Sequence, residues 1–223
     1  MGTLIVDDGV VSRAYDHALV EAGLVVDTPN FEKAREAIAS LAGRPTLDVL
    51  TAALGDKVLA EEATWAFDDA VLSEVPKLSE VEGVSEMLDS LDASGILLAV
   101  TTSFTPEVRK ALLAHLGWTE RFAMMLSAQG VRRGHPAPDL LLAAILELRI
   151  DSVSQVAIVG DNAADLVAGN RAGAGLVVGV RTGRATTDSL LDAPHTHLID
   201  SAAEIESVME APRTVGQRRA SDR

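Results

Sequence analysis

VAIVGDNAAD (Val156–Asp165) is an aliphatic run that ends in glycine and sets two carboxylates four residues apart. The run reads as a buried strand, Gly160 as its tight exit, and the residues beyond as the start of a helix. With Asp161 at the strand tip and Asp165 in the first helical turn, both carboxylates can face the space above a sheet. Hard oxygen ligands in that position suit Mg²⁺. The purely structural alternative is Asp161 as a helix N-cap and Asp165 as a complement to the helix dipole.

The same texture extends in both directions. ILLAV (Ile96–Val100) is followed by PEVRKALLAHLGW, FAMMLSA, PDLLLAAILELRI, VAIVG, ADLVAGNRAG and GLVVGV, short aliphatic or β-branched runs alternating with helical stretches. This alternation predicts βαβ units and a parallel α/β sheet with helices on both faces, whose ligands bind at the carboxyl ends of the strands. From Val10 to about Val75 apolar residues instead recur at helical spacing, as in AYDHALVEAGL and LDVLTAALGDKVL. The expected organisation is a helical cap over residues 10–75 inserted into a core formed by residues 1–9 and 76–210. The last residues, APRTVGQRRASDR (211–223), lack periodicity and read as a frayed tail.

A length of 223 residues suits one core domain with a modest insertion. No run of about 18 apolar residues occurs, and no basic region followed by an apolar stretch opens the chain, so it reads as soluble and cytoplasmic, with no membrane partner. With 33 acidic against 19 basic residues, the overall field repels nucleic acid and anionic membranes, leaving small molecules or proteins as partners. The absence of cysteine excludes disulfides, thiolate metal sites and a cysteine nucleophile.

Two more strand tips carry polar residues. Thr101, Thr102 and Ser103 precede a helix begun by Pro106, a good seat for a phosphate oxyanion, although Ser103 or Thr105 could simply cap that helix. In RRGHPAPD (Arg132–Asp139) the prolines stiffen the approach to the next helix; Arg132 reads as solvated charge and His135 as facing the site. His17 and His115 read as structural, His195 and His197 as flanking a terminal strand, and Trp65, Phe67 and Trp118 as packing residues. The opening MGTLIVDDGVV leaves Asp7 and Asp8 as candidate nucleophiles, unless the nucleophile is missing.

In order and spacing, VTTS, HPAPD and GDNAAD resemble motifs of the haloacid dehalogenase superfamily, over nearly the whole chain to Glu210. VTTSFTPEVRKALLAHLGW, GHPAPDLLLAA and HTHLIDSAAEI look most like its phosphonatase-like branch. The resemblance implies a Rossmann-like parallel core with an inserted helical cap, hydrolysis of a small phosphorylated metabolite through an aspartyl-phosphate, and Mg²⁺ held by Asp161 and Asp165. It puts Thr101 and His135 in catalytic positions and Thr102, Ser103 and Arg133 around the phosphate. His135 stands where the family has lysine or arginine and carries less charge at pH 7, so that mildly acidic conditions or Arg133 would have to compensate.

The resemblance also reads Gly2-Thr3 as the end of the first motif, with Asp7 and Asp8 opening the cap. The nucleophilic aspartate then falls two residues before Met1, as if translation began further upstream, and the chain as given is expected to be inert. The first core strand, between those ending at Thr101 and Asp161, is largely missing. Buried unpaired backbone groups cost on the order of 1–3 kcal/mol each, so the chain is expected to fold poorly or to fill the gap otherwise. Thr46 falls where phosphonoacetaldehyde hydrolase has its Schiff-base lysine, with Lys57 out of register, which favours phosphomonoesters. The alternatives are a non-catalytic relative that binds a ligand or protein, and a 2-haloacid dehalogenase, against which the acidic pair argues. Cap helices often mediate dimers in this family, so a homodimer is consistent with the resemblance.

Overall fold

The computed structural model describes residues 1–128 and 133–209; Arg132 and the tail at 211–223 lie outside them. Residues 10–77 form α1 (Val10–Glu21), α2 (Pro29–Ser40), α3 (Thr46–Leu54), α4 (Lys57–Glu74) and a short 3₁₀ turn. Local chemistry sets their ends. The Thr28 hydroxyl accepts a hydrogen bond from the Phe31 N–H with Pro29 in the first turn, and the Asp56 carboxylate accepts from the N–H groups of Val58 and Leu59 at 2.8 and 3.1 Å. Asp56→Ala is expected to lower stability by about 1 kcal/mol, read from the shift of a urea or thermal melt.

One face of α4 is buried through Ala60, Ala63, Thr64, Phe67 and Val71. Phe67 is completely buried, its ring 4.5 Å from that of Tyr15 on α1 and 6.2 Å from that of Phe104. Trp118 is buried as well, but Trp65 is 69% exposed, against the expectation that all three pack. The stripe 60, 63, 64, 67, 71 turns position 65 to the outside.

Tyr15 is the chain's one tyrosine, and burial pushes its phenol up to about 12, with a Thr46 hydrogen bond and the Arg184 charge only partly opposing. The folded protein therefore favours the neutral phenol. The resulting contribution to stability is present below pH about 10 and is lost, up to roughly 3 kcal/mol, as pH rises towards 12. Phenolate absorbance is expected to stay flat through pH 10 and to appear only near 12 or with alkaline unfolding.

The remaining elements alternate: α5 (Val84–Ala93), β1 (Ala99–Thr102), α6 (Pro106–His115), β2 (Met124–Ser127), α7 (Asp139–Glu147), β3 (Ala157–Gly160), α8 (Ala163–Ala172), β4 (Leu176–Val180), α9 (Thr187–Asp192), β5 (His197–Ile199) and α10 (Ile205–Met209). Every strand pair is parallel, β1 with β2 and β3 with β4 with β5. The architecture is the α/β type that the alternation predicts. The sheet nevertheless comes in two pieces, because β1 and β3 are not paired to each other or to a strand between them. The strand expected at Ile96–Val100 is shifted to Ala99–Thr102, consistent with a ladder on one side only.

Residues 1–9 form no strand. Ile5 makes an isolated antiparallel bridge to Glu80, with Val6 N–H donating to the Ser79 carbonyl and Val81 N–H to the Leu4 carbonyl. The two connections that enter and leave the helical block thus run side by side. Asp7 belongs to this junction, accepting from the Val11 N–H at 3.3 Å, and Asp8 is exposed. Among the described residues no helix is long and apolar enough to cross a membrane.

Candidate active site

The carboxyl end of β3 delivers Asp161, which is 6% exposed. Its Oδ1 accepts a hydrogen bond from the Thr3 hydroxyl at 2.6 Å, and its Oδ2 accepts from the Asn162 side-chain amide at 3.1 Å. The backbones of Gly2 and Gly183 press on the same carboxylate so closely that a Cβ at either would overlap it. Burial pushes Asp161 up to about 6; the Met1 ammonium and the Thr3 hydroxyl oppose the rise, and the charge of Asp165 adds to it.

Asp165 stands in the first turn of α8. Its Oδ2 accepts from the Asn162 N–H, and its Oδ1 lies 2.7 Å from Nδ1 of His135. The Asp165 carboxylate accepts a hydrogen bond from Nδ1–H of His135, which fixes the imidazole tautomer. His135 is 9% exposed and its Nε2 is buried without a partner. The N-cap of α8 is Asn162 rather than Asp161, so the capping alternative for Asp161 does not hold. Gly160 owes its place to proximity: a Cβ there would run into Asp165.

Thr101 and Thr102 close β1, and the Thr102 hydroxyl accepts from the Phe104 N–H at 3.2 Å. Ser103 follows, half-buried. Thr105 occupies the N-cap position of α6, but its hydroxyl donates to Asp68 of α4 at 2.8 Å and so ties core to helical block instead of capping the helix. Arg133 is not drawn in with the others. Its side chain is 74% exposed and forks onto the Asp139 carboxylate at 2.8 and 3.1 Å, which lowers the proton affinity of Asp139. An arginine so engaged is a poor substitute for the missing motif lysine.

The loop between α2 and α3 covers the site. A Cβ at Gly43, whose φ is +84°, would touch the Cβ atoms of Asn162 and Ala164 at 3.2 Å. Thr46, the first residue of α3 after this loop, is buried, whereas Lys57 is exposed and pairs loosely with Glu61. His195 and His197 bond locally, to the Ala193 carbonyl and the Thr196 hydroxyl. Sequence reasoning did not single out Asn162 or Gly183; Asn162 lies inside GDNAAD, but nothing in the local pattern marks a glycine two residues beyond Arg181.

The strand tips of this parallel α/β core thus gather carboxylates, hydroxyls and an imidazole next to the helical block. The chain belongs to the haloacid dehalogenase-like hydrolase family, whose profile matches residues 2–178. It is 32% identical to the probable phosphatase IndB of Dickeya dadantii, over 94% of this chain and 90% of that protein. It is 27% identical to the N-acetylmuramic acid 6-phosphate phosphatase of Pseudomonas aeruginosa, over 68% of this chain and 75% of that one. The crystal structure of a hydrolase from Pseudomonas syringae superposes with a TM-score of 0.81 at 20% identity, covering 96% of both chains.

Proposed function

We propose that this chain forms the body of a Mg²⁺-dependent phosphohydrolase that acts on a small phosphorylated metabolite. One observation carries the reading: Asp161, Asp165 and His135 are gathered, largely buried, at the carboxyl ends of the strands. The phosphatase names of two relatives support it. Two neighbouring carboxylates, one strongly desolvated, suit a hard divalent cation. Mg²⁺ keeps several waters and needs only one or two protein carboxylates, so the lack of any convergence of three or more His, Asp or Glu among the described residues is no obstacle. When bound, the ion supplies charge that offsets repulsion between an anionic nucleophile and the phosphoryl group.

The chain's own residues supply the rest. Thr101 to Ser103, with their backbone N–H groups, hold phosphoryl oxygens at the end of β1. His135, oriented by Asp165, presents Nε2 as a donor to the same group when protonated. The helical block acts as a cap that excludes water and selects substrate. Asp7 and Asp8 lie in the junction to that cap, Asp7 accepting from the Val11 N–H and Asp8 exposed, so the nucleophile of this reading is an aspartate that the residues gathered at the site do not supply. That aspartate attacks phosphorus as the alkoxide leaves, and water then cleaves the aspartyl-phosphate to inorganic phosphate and the free carboxylate. The motifs favour the phosphonatase-like branch, while Thr46 at the lysine position speaks against Schiff-base chemistry and for phosphomonoesters.

The test is a phosphate-ester panel, with and without Mg²⁺, run on residues 1–223 and on a chain extended upstream to include the aspartate. Turnover by the extended chain with Mg²⁺ alone is the expected result. Ligand binding without turnover by either chain would favour a non-catalytic binding protein.

A further inference from the structure

Arg109 stands in the first turn of α6, just beyond Thr105, and is half-buried. Side chains on a helix lean towards its amino end, so the guanidinium is carried back to the carboxyl ends of the strands. There its Nη1 donates to the Ser127 hydroxyl at 3.0 Å. Ser127 is buried, ends β2, and stands in register with Thr102 of β1. Neighbouring strands lie about 4.8 Å apart, so the guanidinium is tethered one strand over from Thr101–Ser103.

Among the described residues no carboxylate pairs with Arg109. Arg121 and Arg133, by contrast, are each closed onto an aspartate, Asp89 and Asp139. Glu107, in the same turn of α6, is exposed and its charge acts on Asp68. A guanidinium whose one bond goes to a neutral hydroxyl keeps its full charge and most of its N–H donors free. Partial burial weakens its hydration, and a hydroxyl offsets that loss less well than an anion does.

The strand tips have the complementary need. Asp161 and Asp165 place negative charge where a phosphoryl dianion would approach, Nδ1 of His135 is engaged by Asp165, and Arg133 is held by Asp139. We propose that Arg109 is a substrate-binding residue of the phosphate seat, its guanidinium meeting the phosphoryl oxygens beside Thr101–Ser103 from the α6 side. Its planar fork of donors suits those oxygens, and its charge does not depend on pH as that of His135 does. Ser127 then acts as a positioning residue, holding the guanidinium near the seat without neutralising it. The inference deepens the phosphohydrolase reading and rests on it.

The test is the Kd of inorganic phosphate for residues 1–223, measured by titration calorimetry near neutral pH in excess Mg²⁺. Unsubstituted chain, Arg109→Gln, Arg109→Lys and Lys110→Ala are compared, each with its thermal melt. Glutamine keeps a donor for Ser127 without the charge, and lysine keeps the charge without the fork. Arg109→Gln is expected to weaken phosphate binding by about 10–100-fold, and Arg109→Lys to recover most of that loss. Lys110→Ala removes the same charge from the exposed neighbouring position and is expected to stay within about twofold. An Arg109 that only braces the end of β2 would lower Tm in both its variants and leave Kd unchanged, which would overturn the proposal. So would an Arg109→Lys chain that binds no better than Arg109→Gln. Either result leaves the phosphate seat itself standing, whereas no phosphate binding by the unsubstituted chain would overturn both readings.

Discussion

Asp161→Asn, made in the extended chain of the phosphate-ester test, is expected to lower phosphatase turnover by on the order of 10²–10³-fold. The substitution keeps size and shape, and an asparagine oxygen can still accept from the Thr3 hydroxyl, so the loss falls on charge rather than on folding. The carboxylate is desolvated between the Gly2 and Gly183 backbones, a setting that disfavours its ionised form unless a cation is near. In the parent chain Mg²⁺ at 100 times its Kd is expected to add about 2.7 kcal/mol, or roughly 5–10 °C in Tm. In the Asn variant that increment is expected to vanish while the metal-free melt holds or rises. Retained Mg²⁺ stabilisation in the variant would remove Asp161 from the metal site.

Phe67→Ala is expected to cost about 3–5 kcal/mol, a fall in Tm of roughly 6–20 °C by calorimetry. Phe67 has no exposed surface and lies between Tyr15 of the helical block and Phe104, which follows Ser103 in the core. Its removal opens a void beside the Tyr15 and Phe104 rings, at the joint between the two parts. Trp65→Ala, two residues away on the exposed face of α4, is expected to change stability by less than about 0.5 kcal/mol. Equal effects of the two would mean that the helix is rotated from the register described.

Much of this was legible in the amino-acid pattern because it is local. A run such as VAIVG between turn residues makes a strand in any parallel sheet, and GDNAAD carries its carboxylates to the strand tip by chain geometry alone. The helical block is legible for the same reason, through its apolar period and the Thr28 and Asp56 caps. What depends on contacts between distant segments was not. Trp65 faces outward because the stripe of α4 is fixed by its partners, and Arg133 is captured by Asp139 six residues on instead of reaching the site. The Thr105 hydroxyl goes to Asp68 across the joint, and the role of Gly183 appears only once its backbone lies on Asp161.

The hydrogen bonds that shape the surroundings of Asp161 join the amino terminus to distant parts of the core: Thr3 to Asp161 spans 158 positions, and Thr182 donates to the Gly2 carbonyl across 180. Closures of that span are entropically late events in folding and give the region a high contact order. On a ribosome the amino-terminal residues must wait, at about 5–20 residues per second, for roughly 10–40 s before Thr182 and Gly183 exist to enclose them. Throughout that interval the helical block can form its own local contacts, while the enclosure of Asp161 cannot be completed. Synthesis thus completes the helical block before the surroundings of Asp161 can close.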